Sequence, residues 1–237
     1  FRITANRADK RFPVKSDQIN RDMGQYVKDL TGARVDLTHP DLHIHLDVLA
    51  KEILIYFDEV RGYGGLPVGT SGLVTAMLSG GIDSPVAAWQ LMKRGCQVQF
   101  VHFHSYPLVD MSSIEKVVDL TQHLTKFQYG SKLHLVPLGE IQKKIILSTP
   151  PAYRVIFYRR FMMRITEELA RRHKSMAILT GESCGQVASQ TLENIAAIDA
   201  VVNMPVLRPL IGYNKEEIVD VARALGTFTT SIQPDQD

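Results

Sequence analysis

Cysteine is scarce. Cys96 and Cys184 are the only two in 237 residues, and they form no CxxC pair. That count excludes a disulfide framework and fits a reducing, cytoplasmic compartment. Long apolar runs are missing as well: no stretch reaches the roughly 18 residues that span a bilayer, and no signal peptide is expected. Neither sign of charge dominates. The 27 basic and 25 acidic residues leave a formal charge of +2, so any case for nucleic acid rests on local clusters. Internal repeats and low-complexity tracts are also lacking. There is no initiator Met: the chain opens inside the strand-like "FRITA" and closes on "TTSIQPDQD". It is therefore expected to be a fragment of a longer protein.

What is present is ordinary for a globular chain, with 45% hydrophobic and 22% charged residues. The length allows one large domain, or a medium domain with a small one. Near the start, Ser16, an apolar set at Ile19, Met23, Tyr26, Val27 and Leu30, and Gly32 as a stop predict a short amphipathic helix. The stretches "LHIHLDV" and "EILIYFDEV" follow as strands, giving a small α+β unit over residues 1–60. The segment 61–72, "RGYGGLPVGTSG", holds five glycines and a proline and reads as a link.

From residue 73 the pattern changes. "LVTAMLS", "CQVQFVHFHS", "KLHLVPL" and "SMAILTG" read as buried-type strands. Between and after them come the helices "SPVAAWQLMKRG", "SSIEKVVDLTQHLTKF", "RVIFYRRFMMRITEELARRH" and "NKEEIVDVARALG". Apolar strands alternating with helices predict an α/β fold with a doubly wound parallel sheet covered on both faces. In such sheets ligands bind where a strand turns into a helix at its carboxyl end. Here that turn is Ser79-Gly80-Gly81-Ile82-Asp83-Ser84. Its glycines let the backbone approach an anion, Ser84 can cap the helix, and Pro85 suits the first helical turn. The free N–H groups and the helix dipole then face the anion. Neither GxxxxGK[ST] nor GxGxxG occurs, so no lysine of the loop reaches a γ-phosphate.

The motif SGGxDS resembles the PP-loop of the ATP pyrophosphatases, the adenine nucleotide alpha hydrolase-like enzymes that split ATP between its α- and β-phosphates. Together with "VHFHS", "TGESCGQVASQTL" and "PVLRPLIGYNKEEI" it resembles the tRNA 4-thiouridine synthetases, and residues 1–60 resemble the C-terminal part of a THUMP RNA-binding domain. The resemblance implies a tRNA sulfurtransferase that uses ATP and Mg²⁺. It would adenylate uridine 8 and replace the C4 oxygen by sulfur, with a further role in supplying sulfur for thiamine thiazole. It implies tRNA, a cysteine desulfurase as persulfide donor, and a second copy of the chain as partners. Two alternatives stay open: another PP-loop adenylating enzyme, of the 2-thiouridine or amidotransferase type, and a non-catalytic RNA-binding module. The missing CxxC weighs against the cluster-bearing PP-loop thiolases.

The same resemblance carries ATP contacts onto Met77, Leu78, Ser79, Gly80, Gly81, Asp83, Ser84, His102, Phe103, Arg159, Gly181 and Gln190. Asp83 is the candidate catalytic residue, orienting the loop or helping to hold Mg²⁺. The sulfur-transfer cysteine of the family is expected just beyond Asp237.

Two basic clusters stand out, at 1–15 and 154–174. The THUMP resemblance makes Arg7, Lys10, Arg11, Lys15, Arg160 and Arg164 candidates for tRNA phosphate contacts. The pairs His43/His45 and His102/His104 have metal-ligand spacing on a strand. Neither has a third ligand motif, so sheet histidines are the expectation and no metal site is assigned. Cys96 is expected in the core, and Cys184 is not assigned the sulfur chemistry.

Overall fold

A computed structural model describes residues 1–234 and divides into two compact units, Phe1–Gly62 and the chain from Tyr63 onward. The first unit has three strands, β1 (Arg2–Arg7), β2 (His43–Val48) and β3 (Ile53–Tyr56), with α1 (Ser16–Thr31) between the first two. β1 pairs parallel to β2, and β2 antiparallel to β3. Ile19, Met23 and Val27, four residues apart, lay one stripe of α1 on Phe1, Ile3, Ala5 and Leu46. Tyr26 and Leu30, expected on that stripe, are instead exposed. Ser16 is the first helical residue rather than the cap, while Gly32 ends the helix at φ +68° as predicted.

The second unit is built on a five-stranded parallel sheet. Its strands are β4 (Leu73–Met77), β5 (Gln97–His104), β6 (Leu133–Pro137), β7 (Ala177–Leu179) and β8 (Val206–Leu207), in the spatial order β6-β5-β4-β7-β8. Helices α2 (Asp83–Lys93), α3 (Ser112–Thr125) and α7 (Lys215–Leu225) cover one face of the sheet. Helices α4 (Gly139–Ser148), α5 (Arg154–Arg172) and α6 (Leu192–Asp199) cover the other. The strands alternate to serve both layers. Val74, Ala76 and Leu78 join Val98 and Phe100 under α2 and α3, while Met77, Val101 and Phe103 face α5.

Sequence periodicity marks the longer elements well. It misses α4, α6, the four-residue α8 (Phe228–Ser231) and the two-residue β8, the last too short to show any period. The glycine-rich stretch expected as a link belongs for most of its length to the second unit. The Leu66 N–H donates to the Lys93 carbonyl, and those of Gly69 and Ser71 donate to the Gly95 carbonyl. Gly65 has φ +96°, and a Cβ there would lie 2.0 Å from the Lys93 oxygen, so that approach admits only glycine.

One histidine couples this fold to pH. His134 on β6 lies against His173, with ring centroids 4.7 Å apart, and its Nε2 is buried with no hydrogen-bond partner among the described residues. Burial, then the neighbouring His173 and Lys132 charges, hold its pKa below the usual 6.5. The unfolded chain therefore takes up a proton below pH 6.5 that the native chain resists, so stability falls as pH drops through that range. His134→Leu is expected to flatten the fall, read from denaturant midpoints at about pH 7.5 and about pH 5.5.

Candidate functional site

β4 ends in the glycine loop. The Leu78 N–H donates to the Val101 carbonyl at 2.9 Å, which carries the ladder one residue past Met77. The His102 Nδ1–H donates to the Leu78 carbonyl, also at 2.9 Å. A carbonyl can only accept, so this bond fixes the ring tautomer. His102 is thus a buried sheet residue that clamps the strand end, and it also lines the cavity described below.

Beyond Leu78 the loop closes on itself. Ser84 Oγ accepts from the Ser79 N–H at 3.0 Å and sits 3.1 Å from Ser79 Oγ, and the Gly81 N–H donates to Ser79 Oγ at 3.3 Å. The expectation that Ser84 caps α2 is corrected. The helix begins at Asp83 with Ile82 at the cap position, and Ser84 turns back to pin the loop. No side chain caps α2, so its first N–H groups stay open toward an anion.

The strand order reverses beside β4, with β5 and β6 on one side and β7 on the other. A crevice opens at such a switch point, beyond the strands' carboxyl ends. Gly181, just after β7, seats there against the start of α2: a Cβ on it would lie 2.7 Å from both the Cα and the N of Ser84. A cavity of about 370 Å³ fills the crevice. Met77, Leu78, Ser79, Gly81, Asp83, Ser84, His102, Phe103, Arg159, Gly181 and Gln190 all line it. Gly80 is the one predicted contact not on its wall; it is buried within the loop.

The most consequential wall residue that sequence reasoning missed is Glu182. Its side chain is 3% exposed and carries three partners. Thr180 Oγ1–H donates to Oε2 at 2.8 Å, Arg208 Nε donates to the same oxygen at 2.7 Å, and Arg159 Nη2 pairs with Oε1 at 2.6 Å. Arg208 is in turn held two-pronged by Asp199, at 2.6 and 2.9 Å. Burial works against the Arg208 charge, but the Asp199 hydrogen bond and the field of Glu182 outweigh it and raise its pKa. Arg159 also donates to Ser189 Oγ at 3.2 Å, so it is oriented from two sides at the cavity edge.

A second missed residue is Lys215. Its Nζ lies 2.5 Å from Asp83 Oδ1 across 132 residues of sequence, while Gln186 Nε2 donates to Asp83 Oδ2 at 3.2 Å. A signal existed: Lys215 is the first residue of α7, where the helix dipole disfavours a cation. The Asp83 carboxylate offsets that. Asp83 is the loop's only carboxylate. Gln190 lines the cavity with Oε1 buried and unpartnered among the described residues, leaving an acceptor for a ligand.

The basic candidates lie in both units and differ in their contacts. Arg160, partly exposed, donates from Nη1 to the Ala197 carbonyl and so ties α5 to α6. Arg164 is exposed above the Phe161 ring. In the first unit Lys10 and Lys15 are exposed, Arg11 is forked onto Asp9, and Arg7 donates to the Phe12 carbonyl. His43 Nε2 lies 2.8 Å from Thr4 Oγ1, and His45 stacks on Tyr56. Among the described residues no three His, Cys, Asp or Glu side chains gather for a metal, and no helix is long and apolar enough to cross a membrane. Cys96 is buried, which raises its pKa, and Cys184 is exposed. The sulfur-transfer cysteine expected past Asp237, and the residues 235–237 leading to it, lie outside the described residues.

Known proteins match this arrangement. The sequence model of the thiamine biosynthesis protein (ThiI) family matches residues 69–237, and that of the THUMP domain matches residues 1–58. A Thermus thermophilus protein described as "Probable tRNA sulfurtransferase" is 51% identical over all 237 residues, which cover 58% of its own length. An Anoxybacillus flavithermus protein of the same description is 47% identical, with 60% of its length covered. A crystal structure of a 4-thiouridine synthetase–RNA complex with bound ATP superposes with a TM-score of 0.89 at 42% identity. It covers all of this chain and 62% of that one. The chain thus spans about three fifths of the length of the relatives it matches.

Proposed function

The chain belongs to the ThiI family, with a THUMP domain at its start, and on that premise we propose that it is the adenylating part of a tRNA sulfurtransferase. ATP binds in the cavity at the switch point with its phosphates over Gly80, Gly81 and the start of α2. The C4 oxygen of uridine 8 attacks the α-phosphorus, the bond to the α–β bridging oxygen breaks, and pyrophosphate leaves. The terminal sulfur of a cysteine persulfide, supplied through a cysteine desulfurase, then attacks C4 and AMP departs. A second cysteine thiolate attacks the inner sulfur and breaks the S–S bond, leaving sulfur on C4 and a disulfide that an external dithiol reduces. The same sulfur stream would serve thiazole synthesis, in the cytoplasm.

The observation that carries this reading is the convergence of the glycine loop and Arg159 on one cavity, with Lys215 paired to the loop's Asp83 beside it and no lysine inside the loop to reach a γ-phosphate. Preformed cationic and N–H donors stabilise charge as it develops on the leaving pyrophosphate. Mg²⁺ beside Asp83 would add to that neutralisation. Gln190 offers an acceptor to the nucleoside, and Phe103, Leu138 and Met162 supply apolar wall.

The test is incubation with labelled ATP and unmodified tRNA. Pyrophosphate released only when tRNA is present supports the reading, whereas inorganic phosphate as product, or binding without cleavage, overturns it. In the same assay Lys215→Met is expected to slow pyrophosphate release about tenfold, the scale of one charge-assisted hydrogen bond.

A further inference from the structure

A second cavity, of about 520 Å³, opens in the second unit at the other end of α2. Asp83 starts that helix, while Trp89, Met92 and Lys93 lie six to ten residues on, about 9–15 Å along its axis. Tyr63 stands edge-on to Trp89 and to Phe127, at 6.2 and 5.2 Å between centroids. Met92 and Leu225, both buried, line it as well. Tyr129 is 95% exposed on the wall and is held at φ +65°, a conformation that side-chain-bearing residues rarely adopt.

The charges here are one-sided. Lys93, Lys126 and His123 line the cavity, and no Asp or Glu does. Lys93 sits over the Trp89 ring, 5.2 Å from its centroid, and neither lysine forms an ion pair among the described residues. The loop cavity needs none of these residues. Aromatic rings beside unpaired cations are the combination that captures the base and the phosphate of a single-stranded nucleic acid. The volume suits one such nucleotide.

We propose that this cavity is a second RNA contact, taking an unpaired nucleotide of the tRNA with its base among Tyr63, Trp89 and Tyr129 and its phosphate on Lys93 and Lys126. The inference rests on the tRNA reading above. It would hold the substrate at a second point while a uridine reaches the glycine loop at the other end of α2.

Trp89 is the single tryptophan of the chain, so its fluorescence reports the site directly. A single-stranded hexauridylate is expected to quench it, and the quench should persist under saturating ATP and weaken with salt. Lys93→Gln with Lys126→Gln should abolish the quench. Trp89→Ala should weaken tRNA binding about tenfold, the scale of one stacked base, with ATP affinity unchanged. Tyr129→Ala, at an exposed position the core does not need, should weaken it in the same direction and guards against a folding defect in the Trp89 variant. Quenching by an acidic peptide but not by the RNA would overturn the proposal, as would variants that bind tRNA like the parent. A chain that binds no RNA at all would instead sink the tRNA reading itself.

Discussion

Gly181→Ala is expected to lower kcat/KM for tRNA-dependent pyrophosphate release by about a hundredfold, the loss that an ångström of misplacement at a reacting centre can bring. The reason lies in the backbone. The added methyl carbon would stand 2.7 Å from the Cα and N of Ser84 and 2.9 Å from the carbonyl carbon of Asp83. These are main-chain atoms at the start of α2, so no flexible side chain can swing aside. Either the loop moves off the phosphates or β7 shifts away from β4. Overpacking of this kind also destabilises by about 1–3 kcal/mol. Pyrophosphate assays on the variant, with its denaturant midpoint beside them, separate loop displacement from unfolding. A variant with parental kcat/KM would show that the contact between Gly181 and the loop does not hold the geometry. The contrast with Gly81 is informative. A Cβ there meets only Ser79 Oγ, at an ordinary 3.4 Å, so Gly81→Ala should be the milder change for stability.

Glu182→Ala is expected to cost about 3–5 kcal/mol of stability, because removing one member of a buried ion pair strands the others. Arg208 and Arg159 would lose the carboxylate between them, and their side chains are only 11% and 20% exposed. Asp199 still neutralises Arg208, so the larger local consequence falls on Arg159, whose remaining contact is Ser189. Glu182→Gln keeps the shape and one acceptor oxygen. It should fold better than the alanine variant while still raising the KM for ATP, because Arg159 would no longer be aimed by charge. Denaturant unfolding of both variants, set against KM and kcat measured separately, distinguishes a positioning role from a purely structural one. Equal stability of parent and Glu182→Ala would refute the network argument.

Much of the candidate site could be read from residue order. The loop is contiguous, and a buried strand followed by glycines and a helical pattern places it at the sheet's carboxyl edge with no tertiary information. His102, Phe103, Gly181 and Gln190 came from motif resemblance and lie on the same cavity. Glu182 sat inside a quoted motif, yet nothing local distinguishes a buried acid in "TGES" from a solvated one. Arg160 shows a related limit: a cationic run looks uniform in sequence, whereas one member of it also bonds the Ala197 carbonyl. The short elements α4, α6, α8 and β8 were missed because few residues leave little periodicity to detect.

The sequence by itself determined the two-part organisation, the parallel α/β architecture of the larger unit, and the glycine loop that lacks a γ-phosphate lysine. Each of these depends on apolar spacing or on residues adjacent in the chain. Tertiary structure alone decided which charges face the cavity. Lys215 reaches Asp83 across 132 residues and Arg159 meets Glu182 because the order β6-β5-β4-β7-β8 carries their elements to one crevice. Local periodicity encodes which face of a strand is buried, and strand order is settled only when whole layers pack.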